Sequence, residues 1–596
     1  MPRLPLVFSG PFVGLNLKKD ASRLNLGEAL VAKNVILDKG TILKREGWES
    51  VHTFSSSGTV CGLFNWVQNN GTVVQILKQD GYLWKCTDLG GTPSVAQLGS
   101  QDFHASNLAD AAIVNNRIYI CDGTGFKVTD GTTTYAPQIP RPSSAPTVTA
   151  VANGIKVLTG DYDYKYSYYS STWGQESPSS NASAVVSPDG QDVQLTDWDI
   201  STCDARVDKF RIYRRRIDTN ESEWRLVTEI AKPGNTTDIH EDDEADNDLS
   251  NLYNAPLSYS TALPNMSFMT YQNGVLFMVS KTSPDRIYVS MPGRPWVVTY
   301  FLTVEGTDGQ DTEAITGLAA FQGVVVVFKE NSIWILSGDD VGNFRAQRVV
   351  SHVGCRSHHS IQCIDNLIYF LSEEGIFAFD GANATEISRP VQPLLLDRNF
   401  SRDAFCISTH DYENNALIWS FASAGETTND TTIVFFYRNT AETQMPSWAQ
   451  WEFNDTPSFY SLVSDATTKK RSVGIGWATK EFGLYGGVDD DDGNDITFQW
   501  KTGKTDYMAP TRNKRWGLFV AEFAKQTSYS SILVRGYRNS DTQSFIIGPM
   551  HNMQEPIFRR RLKRWSRDLS IEFYQDSQTP LEIIGWRIEA EIKGKA

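Results

Sequence analysis

A degenerate β unit recurs along most of this chain, and it restricts the possible folds more than composition does. The unit is an apolar strand, a turn built on Asn, Asp or Gly, a second strand dense in aliphatic and aromatic residues, and another Gly-containing turn. Gly62-Leu63-Phe64-Asn65-Trp66 leads through Asn69-Asn70-Gly71 into Val73-Val74-Gln75-Ile76-Leu77, then Asp80-Gly81-Tyr82-Leu83-Trp84. The form returns at Ala111–Val114 with Ile118-Tyr119-Ile120, and at Phe268-Met269 with Val275–Met278. Further copies are Leu318–Phe321 with Val324–Phe328, and Ile364–Leu371 with Ile376–Phe379. Looser ones lie near Ile418-Trp419-Ser420 and Gly474–Trp477. Adjoining copies are spaced by about 40 to 50 residues, the period of four-stranded propeller blades. The sequence therefore predicts an all-β chain built on a β-propeller, a scaffold suited to binding or assembly.

Composition agrees. Of 596 residues, 40% are hydrophobic and 12% aromatic, enough for a sizeable core, so the chain is not intrinsically disordered. Aromatic and β-branched strands punctuated by Gly and Asn turns favour β structure. One short helix is expected, at Gly27–Asn34.

Shifts in pattern divide the chain into five parts. An N-terminal extension (1–58) precedes a first set of blades (59–140). Pro137, Pro140, Pro142 and Pro146 mark a linker into a segment (141–258) with a different pattern. There Tyr162-Asp163-Tyr164-Lys165-Tyr166-Ser167-Tyr168 alternates as a half-exposed strand, and Phe210–Arg215 and Trp224–Ile230 add more short strands. Their number and length predict an inserted immunoglobulin or fibronectin III-like sandwich. The remaining blades (259–488) follow, then a C-terminal β-sandwich (489–596), part of which could instead complete the propeller ring.

A net charge of −15 argues against a general nucleic-acid binder, which needs a basic footprint, but suits a surface that a polyanion passes without adhering. The seven cysteines (Cys61, Cys86, Cys121, Cys203, Cys355, Cys363, Cys406) are scattered and odd in number, and read as small buried hydrophobes in a reducing compartment. No apolar leader or membrane-spanning run is evident, so synthesis in the cytosol without stable membrane insertion is expected.

Chemistry-bearing motifs are sparse. His352, Cys355, His358 and His359 have metal-like spacing without a second half-site. Asp489-Asp490-Asp491-Asp492-Gly493 invites a calcium reading, but Gly493 comes one residue early for an EF-hand loop, and Trp500 stands where its Glu would be. Glu241-Asp242-Asp243-Glu244 opens a second acidic run. Both runs read as hydrated turns, or as loops facing a passing polyanion. Arg559, Arg560, Arg561, Lys563, Arg564 and Arg567 form a basic cluster interrupted by Leu562 and Trp565. On a strand both faces would carry cations, which suggests contact with an acidic neighbouring subunit, or with DNA phosphates. No nucleophile elbow, phosphate loop or His-Glu-x-x-His motif is present.

Three segments together resemble the tail nozzle or tail-tube proteins of short-tailed bacteriophages. The first is Pro11-Phe12-Val13-Gly14-Leu15-Asn16 with Leu26–Leu30, Ala32-Lys33-Asn34 and Leu43–Trp48. The second is Tyr369–Gly381 followed by Glu386-Ile387-Ser388, and the third is Trp500–Gly503 with Arg512–Trp516. The resemblance implies a structural virion protein of the tail, made in the host cytoplasm, with no catalysis and no cofactor. It implies a homo-oligomeric ring, expected to hold six copies, beside adaptor and portal-proximal proteins and tail fibres, whose acidic channel conducts and retains genomic DNA. On that view Glu241, Asp242, Asp243, Glu244 and Asp489 to Asp492 are candidate lumen or gate loops, and Arg559 to Arg567 a candidate inter-subunit contact. The alternative is a glycan-binding or glycan-cleaving propeller, with Trp173, Trp296, Trp448 and Trp451 as a sugar platform.

Overall fold

The computed structural model describes all residues except 1–3, 90–91, 153–157, 255–262, 306–312, 340–341, 466–469, 508, 510, 526–529, 539–542, 551–555 and 593–596. The boundary expected at 258/259 lies outside the described residues. Strand accounts for 54% of the chain and helix for 5%; the fold is all-β and built on a β-propeller.

Seven four-stranded antiparallel units form the propeller. Blade 1 runs from Val60–Val67 to Ser94–Leu98, blade 2 from Asp110–Val114 to Thr134–Tyr135, and blade 3 from Met266–Gln272 to Arg294–Thr303. Blade 4 runs from Ile315–Phe321 to Arg345–Ser351, blade 5 from Gln362–Ile364 to Ala384–Glu386, and blade 6 from Ile407–Asp411 to Trp448–Trp451. Blade 7 takes three strands, Pro457–Ser464, Arg471–Trp477 and Glu481–Tyr485, from late in the chain. Its fourth is Trp48–Thr53, which pairs antiparallel with Glu481–Tyr485. The first strand of each blade packs against the first strand or its lead-in turn in the next blade, and blade 7 returns to blade 1. The ring is therefore closed by the N-terminal segment and not by C-terminal strands. Closing a blade with distant strands removes an exposed sheet edge and makes unfolding of the ring cooperative.

The N-terminal extension is consequently no separate unit. The helix expected at Gly27–Asn34 is a strand, Glu28–Lys33, pairing antiparallel with Ile496–Thr502. Its buried Ala29 and Ala32 fill the core beside Trp500, and that tertiary burial overrides local helix propensity. Through Gly14–Leu15 and Glu28–Lys33 the sheet of blade 6 runs on into the C-terminal strands as one ten-stranded sheet. A second sheet, in the order Val35–Asp38, Thr41–Lys44, Glu582–Ile592, Lys514–Phe523, Ile557–Ser566, faces it, with Leu4–Ser9 also paired to Glu582–Ile592. Both ends of the chain thus build one β-sandwich around Phe8, Phe12, Trp500, Trp516, Phe573 and Trp586.

The insertion between blades 2 and 3 is a two-sheet sandwich. Tyr162, Tyr164, Tyr166 and Tyr168 are all buried against Trp198, Phe210 and Ile212. Their strand is not half-exposed as the alternation predicted. Asp163 and Ser167 on its other face are also buried, where Asp163 accepts from Arg215 and Ser167 donates to Glu176. Paired polar groups cover a face that alternation alone assigns to solvent.

Candidate functional site

The acidic turn Asp489–Asp492 lies on the closing strand. Gly47 donates to the Val488 carbonyl (2.7 Å), Trp48 to that of Asp490 (3.1 Å), and Asp492 to that of Trp48 (2.8 Å). The approach admits only glycine at 47, where a Cβ would stand 1.6 Å from the Asp490 oxygen. Within the turn Asp491 is buried and takes a two-pronged contact from Arg45. Asp489 and Asp492 are exposed and Asp490 partly so. Partial desolvation in the turn, with the neighbouring Asp490 adding to it against Lys44, holds the Asp489 carboxyl above its ordinary value. The four aspartates therefore divide: Asp491 fixes the closure, and the others present negative charge at the junction of blade 7 and the terminal sandwich.

The run at Glu241 to Glu244 divides in the same way. Asp242 is buried, 2.6 Å from Arg214, and accepts from the Tyr164 hydroxyl at 2.8 Å. Asp246 adds contacts to Arg214 and Arg216. Asp242 is thus a structural anchor of the inserted sandwich and unavailable as a lumen group, while Glu241 and Asp243 are exposed and Glu244 partly so. No described hydrogen bond or ion pair joins the two acidic segments, and neither lies on a blade's first strand.

The basic cluster occupies Ile557–Ser566, an edge strand whose backbone pairs on one side only, with Lys514–Phe523, and Arg567 lies one residue beyond it. Arg559, Arg560, Arg561, Lys563, Arg564 and Arg567 are all exposed. Arg564 lies 5.4 Å from the Phe545 ring, and none of the other five forms an ion pair among the described residues. Opposite Trp565, Arg515 is exposed as well; Arg559 shares a row with Val520 and the exposed Arg587 two strands away. An unpaired edge bearing cations on both faces is protected against indiscriminate strand pairing, yet is attractive to an acidic surface.

The histidine cluster divides: His352 is exposed just after the outer strand of blade 4, while His358 and His359 sit at the propeller hub. His358, just before blade 5, places Nε2 3.1 Å from Oδ2 of Asp110 on the first strand of blade 2. Those blades are three apart, the widest separation a ring of seven allows, so the contact spans the axis. Nδ1 of His358 accepts from the Leu318 backbone of blade 4 (3.3 Å), which puts the proton on Nε2 and makes Asp110 its acceptor. The His358 ring stacks on Phe268 of blade 3, and His359 meets Phe459 of blade 7 edge-on. Asp110 is desolvated, but His358 outweighs that and holds its carboxyl below the ordinary value. Cys355 is buried and donates to the Ser357 carbonyl. Among the described residues no group of three or more His, Cys, Asp or Glu side chains is placed to hold a metal. The sequence spacing of these residues did not reveal that the histidines would meet an aspartate 248 residues away.

Trp173, Trp296, Trp448 and Trp451 are buried, none above 8% exposed, and do not form a surface platform. Trp173 packs under Arg117 (4.1 Å) where the insertion joins blade 2.

No family model and no curated protein matches the chain. Among solved structures it is similar to the extracellular domain of a hybrid two-component system protein from B. thetaiotaomicron (9% identity, TM-score 0.29), covering 92% of this chain and 61% of that one. It is also similar to the Dos1 propeller (11%, 0.29; 74% and 94% covered) and to YCF48 from Cyanidioschyzon merolae (7%, 0.26; 74% and 98% covered). The chain spans less than two thirds of the first of these. All three scores lie below 0.5, and the fold assignment rests on the sheet topology above.

Proposed function

We propose that this chain is a structural subunit of a short-tailed phage tail, a nozzle protein that assembles with copies of itself into a ring through which DNA leaves. The observation that carries the reading is the edge strand Ile557–Ser566, with five exposed cations lacking an ion-pair partner among the described residues, on a chain of net charge −15. Such a strand fits an acidic neighbour better than solvent, and further copies of this chain supply acidic surface in excess.

The hub sets the route of the DNA. With His358 and Asp110 joined across the axis, a duplex would pass between subunits and not through a propeller. Glu241, Asp243, Asp489 and Asp492, the exposed carboxylates of the two acidic segments, are the side chains offered to such a channel. A wall of carboxylates avoids the salt-dependent phosphate contacts that would retard a moving duplex. The sandwich built from both chain ends gives the ring a rigid platform, and the inserted sandwich, seated on blades 2 and 3 through Trp173, is a module for adaptor or fibre contacts.

Negative-stain imaging of the protein, alone and mixed with partly assembled tails, tests this. Rings with a central hole wide enough for duplex DNA are expected. Particles that stay single and join no tail assembly would overturn the proposal.

A further inference from the structure

On one face of the propeller, the lead-in segments of blades 1, 2, 6 and 7 and the turns between second and third strands of blades 6 and 7 surround a cavity of about 110 Å³. Arg402 projects from the short 3-10 turn Phe400–Phe405 that opens blade 6, and its guanidinium lies 3.7 Å from the Phe405 ring centroid. Its Nε is buried without a hydrogen-bond partner, and the side chain forms no ion pair or hydrogen bond among the described residues. The contrast with Arg398, four residues earlier, is informative. Arg398 takes both oxygens of Asp403 at 2.8 and 3.1 Å, which removes the carboxylate nearest in sequence. No carboxylate lines the cavity. Thr59, partly buried, and Thr427 and Thr428, both exposed at its rim, do line it, and their hydroxyls have no protein partner among the described residues. Arg402 is partly exposed, with its Nε shielded and its terminal nitrogens open to the cavity mouth, so the unpaired guanidinium offers its donors to the oxygens of an anion.

We infer that this cavity is an oxyanion site, taking phosphate or a carboxylate against Arg402 with the threonine hydroxyls completing its shell. The volume admits a small anion. Phe405 stacks beneath the guanidinium and holds its plane, which favours two-pronged contact with a pair of ligand oxygens. The site is independent of the tail assignment, because it needs only the folded propeller.

The test uses the full chain, with inorganic phosphate and acetate as separate probes titrated calorimetrically at fixed ionic strength. Wild type is expected to bind at least one of them saturably, at one site per chain. The Arg402→Met variant is expected to lose about ten- to a hundredfold in affinity, the range for a hydrogen-bonded charge contact. Arg402→Lys, which keeps the charge without the fork, is expected to fall between them, and Thr427→Val to weaken binding with the cation intact. Preference for phosphate over acetate, or the reverse, identifies which oxyanion the site takes. Absence of saturable binding of either probe to the folded wild type would overturn the inference, as would equal affinity in a folded Arg402→Met protein.

Discussion

The guanidinium of Arg45 donates to both carboxylate oxygens of Asp491, at 2.8 and 2.6 Å, joining residues 446 positions apart with neither side chain more than 3% exposed. Arg45 also donates to Asn34 and to the Glu452 carbonyl, so one side chain ties the N-terminal extension to the connection after blade 6 and to the turn after blade 7. Removing one partner leaves the other charge buried and uncompensated. Arg45→Ala should therefore cost about 3–5 kcal/mol. The neighbouring exposed aspartate provides the contrast, and Asp492→Asn should stay within about 0.5 kcal/mol of wild type. Denaturant midpoints of the two variants check this directly.

Ring closure depends on Trp48 as well as on strand pairing. The indole is 1% exposed, lies 4.3 Å from Trp477 between ring centroids, and donates to Asn454 at 2.9 Å. Trp48→Ala should cost about 3–5 kcal/mol through the cavity left behind. Because that cavity opens at the seam, limited proteolysis should first cut near blade 7. Initial cleavage elsewhere would place the weakest seam of the ring at another blade.

The hub gives the protein an acid limit. Desolvation, reinforced by the neighbouring His358, pushes the His359 imidazole down to about 3 from an ordinary 6.5, and desolvation takes His410 to about 4. Between those values and 6.5 the unfolded chain binds protons that the folded chain refuses. Their contribution is complete above about pH 6.5 and is lost as pH falls toward 3. Asp110 and Lys78 act on His359 in opposite senses, Asp110 raising its pKa and Lys78 lowering it. His359→Gln should flatten the difference in stability between pH 7 and pH 4 relative to wild type. Thermal unfolding across that range measures it, and an unchanged slope would remove His359 as a source.

Much of this architecture was legible in the sequence because blade strands are locally encoded. Val275–Met278 and Val324–Phe328 are unbroken apolar runs and Val73–Leu77 is interrupted only by Gln75; all three follow Asn or Gly turns and are second strands of blades. The parts that escaped depend on partners far away in the chain. Glu28–Lys33 has helix-favouring residues and becomes a strand because Ile496–Thr502 lies beside it. Asp491 and Asp242 look like their acidic neighbours until Arg45 and Arg214 select them. Arg402 carries no motif, and its isolation is visible only once Asp403 is seen to be taken by Arg398.

The proposed assembly depends on Arg559 and Arg561, exposed on an edge strand away from any described ion pair. Reversing them should leave the monomer's unfolding temperature nearly unchanged, since surface charges remote from buried networks contribute little to stability. The most direct test is the solution mass of the full chain by sedimentation velocity, across concentration and salt, for wild type and for Arg559→Glu/Arg561→Glu. The account predicts multi-copy rings of wild type that dissociate as salt rises, and a folded, monomeric double variant. A wild type that is monomeric throughout, or a double variant that assembles as wild type does, would contradict it.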